Sequence, residues 1–140
     1  MAWTVTSSEH PRVLLVDDNE TMLNRAAAAL SSDCAVVGAV TEGQAALDMA
    51  DAMRPDVIVL DISMPGMNGF EVAKRLKHAG STAAIVFLTI YDDAEVVRAA
   101  AAAGVIGYVL KRRLASDLAH AVLEVTAGRG FVSDLGESHS

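Results

Sequence analysis

Four short apolar segments of this chain each end at a polar residue, and this pattern constrains the fold more than any other feature. The segments and the polar residues after them are 13–16 before Asp17 and Asp18, 57–60 before Asp61, 84–88 before Thr89, and 107–110 before Lys111. As parallel strands of one sheet, these segments would bring three carboxylates, one hydroxyl and one ammonium to a single edge. Open α/β sheets bind their ligands at that edge, outside the carboxyl ends of the strands.

Segments with helical periodicity lie between the apolar segments, and this alternation predicts an α/β fold with a parallel sheet. The apolar segments are rich in Val, Ile and Leu and lack regular alternation with polar residues, which is typical of strands covered on both faces. Two helical stripes recur at spacings of three and four residues, namely Met22, Leu23, Ala26, Ala27 and Leu30, and Leu114, Leu118, Ala121, Val122 and Val125. Each stripe predicts a helix with one buried face.

Local signals predict where several helices begin and end. Thr41, with Gln44 three residues later, predicts a capping box at the start of the second helix. Pro55 disfavours helical geometry in the preceding residue, so this helix should end near Arg54. The remaining signals are Asn68 at the start of the third helix and Gly104 as the C-cap of an alanine-rich helix at 94–103.

The composition excludes several classes of protein. With 140 residues, 52% of them hydrophobic, the chain suits one domain with a packed core. A net charge of −7 argues against sequence-independent binding to nucleic acid. No apolar stretch is long enough to span a membrane and residues 1–10 lack the pattern of a signal peptide, so we expect a cytoplasmic protein. The single cysteine, Cys34, excludes an intrachain disulfide, and its apolar neighbours predict a buried thiol.

The polar residues at the strand ends have the chemistry of a metal site beside a nucleophile. Asp17 and Asp18 are adjacent carboxylates that repel each other, and Mg²⁺ would relieve that repulsion because it prefers oxygen ligands. Capping of the first helix is the alternative, but it accounts for only one of the two acids. Asp61 can attack phosphorus as a nucleophile. Lys111 and Thr89 can bind the oxygens of a phosphoryl group beside it.

The same residues carry a resemblance to a known family. Residues 11–128 resemble the receiver domain of response regulators in two-component signalling, and the matching motifs are 14–18, 61–69, Thr89 and 107–111. The resemblance implies a flavodoxin-like, doubly wound α/β fold whose five parallel strands follow the order 2-1-3-4-5, with five helices. The expected divisions of the chain are a flexible N-terminal tail at 1–10, the receiver domain at 11–128, and a C-terminal tail or linker remnant at 129–140.

The resemblance also implies a role for each residue of the site. The implied roles are Asp61 as phosphoacceptor, Asp17, Asp18, Asp61 and the backbone carbonyl of Ser63 as Mg²⁺ ligands, and Thr89 and Lys111 as the groups that bind the phosphoryl oxygens. Tyr108 corresponds to an aromatic switch residue that turns inward as the Thr89 hydroxyl moves toward the phosphoryl group. Ordinary packing of Tyr108 within its strand is the alternative.

Residues 88–93 and 103–128 are most similar to the NarL/FixJ subfamily, whose members usually carry a C-terminal helix-turn-helix of the LuxR type. The chain ends before such a domain. We therefore expect either a stand-alone receiver or a regulator whose output domain is absent, with residues 131–133 resembling the start of the usual linker.

Two positions near the site depart from the pattern of the family, and two more occupy positions at which the family varies. Arg112 stands where many receivers have a proline with a cis bond, so the geometry of this loop is open. Ile90 stands where a small residue is usual, and its bulk would narrow access to Asp61. Ser63 and Tyr91 occupy positions at which the family tunes the lifetime of the phosphoryl group.

The predicted function is a switch that receives a phosphoryl group from a sensor histidine kinase and regulates transcription through an output domain absent from this chain. It is not a turnover enzyme, because it would phosphorylate and dephosphorylate only its own Asp61. We expect a phosphorylation-dependent homodimer, through the first and last helices or through residues 94–125. Neither nucleic acid nor a membrane is an expected direct partner.

Two alternative functions stay open. An aspartyl-phosphate hydrolase of the haloacid-dehalogenase kind needs a second acid two residues after the nucleophile, where this chain has Ser63. A phosphate-independent interaction module on the same fold usually lacks one of the acids or the lysine, and here every member of the set is present.

Overall fold

A computed structural model of the chain describes residues 10–136. Its strands are β1 (Arg12–Val16), β2 (Ala35–Val40), β3 (Val57–Leu60), β4 (Ala84–Thr89), β5 (Gly107–Leu110) and β6 (Phe131–Val132). Its helices are α1 (Glu20–Leu30), α2 (Gly43–Met53), α3 (Gly69–His78), α4 (Ala94–Ala102) and α5 (Leu114–Thr126). The strands form one parallel sheet in the order β2-β1-β3-β4-β5-β6. The predicted α/β class and the order of the first five strands are confirmed.

The sheet is covered on both faces, as its apolar strands predict. Successive strand residues point to opposite faces and enter two separate cores. One core lies under α1 and α5 and contains Val13, Leu15, Val57, Val59, Val86, Leu88 and Val109. The other lies under α2, α3 and α4 and contains Leu14, Val16, Ile58, Leu60, Phe87, Tyr108 and Leu110. This double burial holds the strands rigidly, so their carboxyl ends have fixed relative positions.

The helix faces and most helix ends agree with the sequence. Every member of the stripe predicted for α5 is buried, and α1 buries Leu23, Ala26 and Leu30. Arg54 ends α2 with a left-handed φ of 47°, because Pro55 disfavours right-handed helical geometry in the residue before it. Asn68 caps α3 by accepting a hydrogen bond from the backbone N–H of Glu71 at 2.9 Å.

The predicted capping box at Thr41 is wrong. α2 begins at Gly43 with Glu42 as its N-cap residue, and no side chain caps it. Gln44 is therefore the second helical residue, too early to reach back to the cap, and its side chain donates to the carboxylate four residues later at 3.1 Å. Gly43 is buried against Met67, where a Cβ would lie only 2.9 Å from the Met67 Cβ, and this packing sets the start of the helix.

The sixth strand lies in the segment that we expected to be a tail or linker. Phe131 pairs with Gly107 and Val132 with Tyr108, so β6 extends the sheet beyond β5. Two residues carry too little periodicity to predict a strand from sequence.

Of the predicted N-terminal tail, residues 1–9 lie outside the described part of the chain. Within residues 10–136, no helix is long and apolar enough to cross a bilayer.

Candidate functional site

The carboxyl edge of the sheet fixes the backbone of two of the predicted site residues. The N–H of Asp17 donates to the carbonyl of Val40 at 3.1 Å, and the N–H of Asp61 donates to the carbonyl of Val16 at 3.0 Å. Each bond continues the ladder between neighbouring strands by one residue. Both acids therefore leave the sheet from adjacent strands with a fixed backbone.

Three carboxylates meet at this edge. Asp17, Asp18 and Asp61 each place one oxygen atom within 4.8 Å of the others. Asp17 and Asp61 are each only 3% exposed, whereas Asp18 lies at the surface. Burial, and then the negative charge of Asp17, raise the pKa of Asp61 to about 6. The cluster therefore carries negative charge that the protein alone does not balance.

Lys111 is the cation of the site. Its Nζ atom lies 3.0 Å from Oδ2 of Asp17 and 3.3 Å from Oδ2 of Asp61. Burial acts to lower the pKa of Lys111, but the two carboxylates outweigh it and hold that pKa above its ordinary value. Lys111 is therefore charged at neutral pH and joins the carboxylates of β1 and β3.

One oxygen atom of Asp17 is incompletely satisfied. Its Oδ1 accepts a hydrogen bond from the N–H of Asn19 at 2.9 Å. Its Oδ2 is buried, and its one partner among residues 10–136 is the Lys111 ammonium at 3.0 Å. A buried carboxylate oxygen with free lone pairs, beside two further carboxylates, fits the oxygen ligands that a hard divalent cation requires.

The loop after Asp61 folds back tightly against the acid. The N–H of Ser63 donates to Oδ1 of Asp61 at 3.3 Å, and the N–H of Gly69 donates to the carbonyl of Ile62 at 2.8 Å. A Cβ on Gly69 would lie 2.5 Å from the carbonyl oxygen of Asp61. Only glycine allows this approach, so the first residue of α3 also shapes the loop that carries the acid.

Thr89 and Tyr108 are connected through Tyr91. Thr89 is fully buried, and its Oγ1 accepts a hydrogen bond from the N–H of Tyr91 at 3.2 Å. The hydroxyl of Tyr108 donates to the carbonyl of Tyr91 at 2.7 Å. Tyr108 is 2% exposed, and burial, followed by the charges of Asp93 and Asp92, raises its pKa to about 12. The aromatic side chain that we predict as a switch therefore lies inward in this structure.

Tyr91 also contacts the loop of Asp61. Its hydroxyl lies 2.7 Å from Oγ of Ser63, and either group can donate. This bond joins the two positions at which the family is expected to tune phosphoryl lifetime. Ile90, between Thr89 and Tyr91, is 68% exposed.

Sequence reasoning missed two buried polar residues next to the site, Asp117 and Ser133. Asp117 is 8% exposed and Ser133 is 2% exposed. One signal for Asp117 was available, because it lies on the apolar stripe of α5 beside Leu114 and Leu118. Ser133 had no comparable signal, since it follows the unpredicted strand β6.

A family model described as the response regulator receiver domain matches residues 13–123. The chain belongs to this family. It is 33% identical to the nitrate/nitrite response regulator protein NarL of Escherichia coli strain K12 over 131 residues. The aligned region covers 91% of this chain and 61% of that protein. It is 35% identical to the transcriptional regulatory protein DesR of Bacillus subtilis over 119 residues. This aligned region covers 84% of the chain and 59% of DesR.

Solved structures agree with this membership of the receiver family. The signal receiver domain of NarL from Mycobacterium tuberculosis has 32% sequence identity and a TM-score of 0.81, over 86% of this chain and 99% of that one. The predicted similarity to NarL-like receivers is thereby confirmed. This receiver chain spans 61% and 59% of the length of the two curated relatives.

Proposed function

We propose that this receiver is a phosphoacceptor switch in which Asp61 takes a phosphoryl group from a phosphohistidine of a sensor histidine kinase. A carboxylate oxygen of Asp61 bonds to phosphorus, the phosphorus–nitrogen bond breaks, and its electron pair stays on the imidazole of the kinase. The observation that carries this proposal is the buried Asp61 carboxylate, with the Lys111 ammonium 3.3 Å away and a second buried carboxylate beside it.

Mg²⁺ is the cofactor that the acidic cluster fits best. We propose Asp17, Asp18, Asp61 and the backbone carbonyl of Ser63 as its ligands. The close approach of the three carboxylates and the buried Oδ2 of Asp17, which within residues 10–136 contacts only the Lys111 ammonium, support this assignment. When bound, Mg²⁺ supplies positive charge that neutralises the oxygens of the phosphoryl group during transfer.

Lys111 and Thr89 are the proposed groups that bind the phosphoryl oxygens. Lys111 is a charged donor already located beside the acceptor, so it needs little reorganisation to contact the new anion. The Thr89 hydroxyl hydrogen can rotate toward an acceptor, because Oγ1 now serves as acceptor for the Tyr91 N–H. Neither side chain needs to change protonation state.

The contacts of Tyr91 suggest how the switch is transmitted. If Thr89 moves toward a phosphoryl group, its hydrogen bond with the Tyr91 N–H lengthens or breaks. Tyr91 in turn holds the Tyr108 hydroxyl through its carbonyl oxygen. Movement at Thr89 therefore reaches Tyr108 through one residue, which supports Thr89 and Tyr108 as the switch pair.

The proposed function also has consequences for the location, dimerisation and output of the whole regulator. We propose a cytoplasmic signalling protein that forms a phosphorylation-dependent homodimer through α1 and α5 or through residues 94–125. Its proposed output is transcriptional and acts through a domain outside this chain. The receiver itself is proposed not to bind nucleic acid. We further propose residues 11–128 as the receiver domain and self-dephosphorylation of Asp61 as its only turnover.

An Asp61→Asn variant tests the proposed function directly. The full chain is incubated with Mg²⁺ and a small-molecule acyl phosphate, and the incorporated phosphoryl group is measured by intact mass. We expect wild-type labelling and none in the variant. Asp51→Asn, which makes the same change at an exposed acid of α2 outside the site, serves as the matched control and should retain labelling. Equal labelling of wild type and Asp61→Asn would remove Asp61 from its role, and sustained phosphate release would instead indicate a hydrolase.

A further inference from the structure

One buried pair of polar side chains holds the turn that carries Lys111. Ser133, just after β6, donates from its Oγ to Oδ2 of Asp117 in α5 at 2.7 Å. The same Oγ accepts the backbone N–H of Leu110 at 3.1 Å. Leu110 is the residue directly before Lys111, so the pair holds the chain on the N-terminal side of the lysine.

The same pair holds the chain on the other side of Lys111. Arg113 donates from Nε to Oδ2 of Asp117 at 2.9 Å and from Nη2 to Oδ1 at 3.4 Å. One buried acid–hydroxyl pair therefore binds Leu110, just before the 3-10 turn Lys111–Arg113, and Arg113, its last residue. We call Ser133, Asp117 and their contacts with Leu110 and Arg113 the turn clamp.

Asp117 is suited to this task because it stays ionised. Burial acts to raise the pKa of Asp117, but hydrogen bonds from Arg113, Ser133 and Ser116 outweigh it and hold that pKa below the ordinary value. An ionised acceptor makes stronger hydrogen bonds than a neutral one.

The segment that carries Ser133 is docked by other bonds as well. The N–H of Ser133 donates to the carbonyl of Tyr108 at 2.8 Å, and Nη2 of Arg112 donates to the carbonyl of Leu135 at 3.2 Å. The ring of Phe131 packs edge-on against His120, with centroids 5.2 Å apart. Because these contacts do not involve the Ser133 hydroxyl, removal of that hydroxyl tests the clamp without removing β6.

We propose that Ser133 and Asp117 are positioning residues for Lys111, which make phosphoryl binding at Asp61 depend on the docked C-terminal segment. Lysine is long and loses much conformational freedom when its ammonium is fixed. A turn held through the backbone of Leu110 on one side and through the side chain of Arg113 on the other reduces that entropic cost and keeps Nζ within reach of the phosphoryl oxygens. The inference rests on the proposed function of Asp61 and names residues that it did not include.

The coupling must work in both directions. If the docked segment favours phosphoryl binding, a bound phosphoryl group must favour docking by the same factor. A signal at Asp61 would therefore reach residues 131–136, where the chain leaves the receiver, through Lys111, its turn and Ser133. This route meets the contacts of Thr89 and Tyr91 at Tyr108, whose carbonyl accepts the N–H of Ser133.

Three variants of the full chain test the clamp. Ser133→Ala removes the hydroxyl, and Ser133→Thr restores it. Thr126→Val is the matched control, because it removes a hydroxyl hydrogen bond elsewhere in α5, from Thr126 to the backbone carbonyl of Leu123 at 3.1 Å. The measurements are the Kd for beryllofluoride at saturating Mg²⁺, the Kd for Mg²⁺ alone, and the exchange rate of the Leu110 amide proton.

We expect Ser133→Ala to raise the Kd for beryllofluoride about three- to tenfold and to accelerate exchange of the Leu110 amide. The Kd for Mg²⁺ alone should not rise, because the clamp positions the lysine and not the carboxylates. Ser133→Thr should restore the beryllofluoride Kd, and Thr126→Val should leave it within about a factor of two.

Two results would overturn this inference and leave the proposed function of Asp61 intact. One is a Ser133→Ala variant that melts at a lower temperature but binds beryllofluoride like the wild type, which would make the clamp purely structural. The other is an equal loss of beryllofluoride and Mg²⁺ binding, which would mean general collapse of the site. A wild-type chain that fails to bind beryllofluoride would instead overturn the proposed function of Asp61, and this inference with it.

Discussion

The ammonium nitrogen of Lys111 lies closer to Oδ2 of Asp17, at 3.0 Å, than to Oδ2 of Asp61, at 3.3 Å. The lysine that is proposed to bind the phosphoryl group is therefore also paired with a proposed Mg²⁺ ligand. In this arrangement Lys111 and Mg²⁺ compete for the same carboxylate oxygen, since both are cations that need it.

This competition predicts the effect of Lys111→Ala on Mg²⁺ affinity. Removal of the ammonium leaves the carboxylates without their cation, so Mg²⁺ should bind several-fold more tightly while beryllofluoride binding is lost. Isothermal titration calorimetry measures both. Arg129→Ala is the charge-matched control, because Arg129 pairs with Glu124 in the last turn of α5. Weaker Mg²⁺ binding in Lys111→Ala would contradict the competition.

Asp61 should destabilise the metal-free protein at neutral pH. Its folded pKa of about 6 lies above the ordinary value of 3.8, so the folded state binds the proton more tightly than the unfolded state. The free energy of unfolding therefore falls as the pH rises from 3.8 to about 6. At 1.36 kcal/mol per pKa unit, the loss is about 2–3 kcal/mol.

Asp61→Asn should accordingly raise the free energy of unfolding at pH 8 in the absence of Mg²⁺. The gain should shrink as the pH falls below 6 and vanish below about pH 3, because the wild-type acid is then protonated in both the folded and the unfolded state. Urea denaturation at several pH values measures this. Asp18→Asn, at the exposed acid, should change stability less. An Asp61→Asn variant that is less stable than the wild type at pH 8 would count against the burial of an uncompensated charge.

Asp117 should have the opposite pH dependence. Its pKa is lowered on folding, so it contributes stability above its unfolded pKa near 4 that is lost as the pH falls through the folded value. Asp117→Asn should cost about 1.5–3 kcal/mol at pH 7, the range for a hydrogen bond to a charged group. The difference from wild type should narrow in acid. Glu124→Gln on the same helix, which breaks a surface pair with Arg129, should change stability little.

Gly69 should be essential to the Asp61 loop. In Gly69→Ala the new Cβ would lie 2.5 Å from the Asp61 carbonyl oxygen, so the loop must shift. We expect a loss of about 1–3 kcal/mol in stability and slower labelling of Asp61 by an acyl phosphate. Gly130→Ala is the control, because its Cβ would meet only the Ile106 carbonyl at an ordinary 3.4 Å. Wild-type labelling of Gly69→Ala would show that the loop tolerates the shift.

The sequence predicted the sheet and the acidic cluster because both follow from simple patterns. Strands buried on both faces are continuous apolar runs, and parallel strands must present their following residues at one edge. Asp17, Asp61 and Lys111 are each the first residue after such a run. Their proximity is therefore a consequence of topology, and it needed no knowledge of side-chain contacts.

The features that escaped prediction depend on contacts between distant parts of the chain. β6 is two residues long, and it is held by pairing with β5 and by the bonds of Ser133 with Tyr108, Leu110 and Asp117. The start of α2 is set by burial of Gly43, which outweighs the local capping signal of Thr41. Neither contact leaves a periodic trace in the sequence.

The most direct test of the central claim is to locate the phosphoryl group after reaction with an acyl phosphate and Mg²⁺. Borohydride reduces an aspartyl phosphate to homoserine, which peptide mass spectrometry can assign to one position. We predict homoserine at position 61 alone, dependent on Mg²⁺ and absent without the phosphodonor. Homoserine at another acid, or a phosphoryl group on a hydroxyl side chain with Asp61 unmodified, would contradict the account.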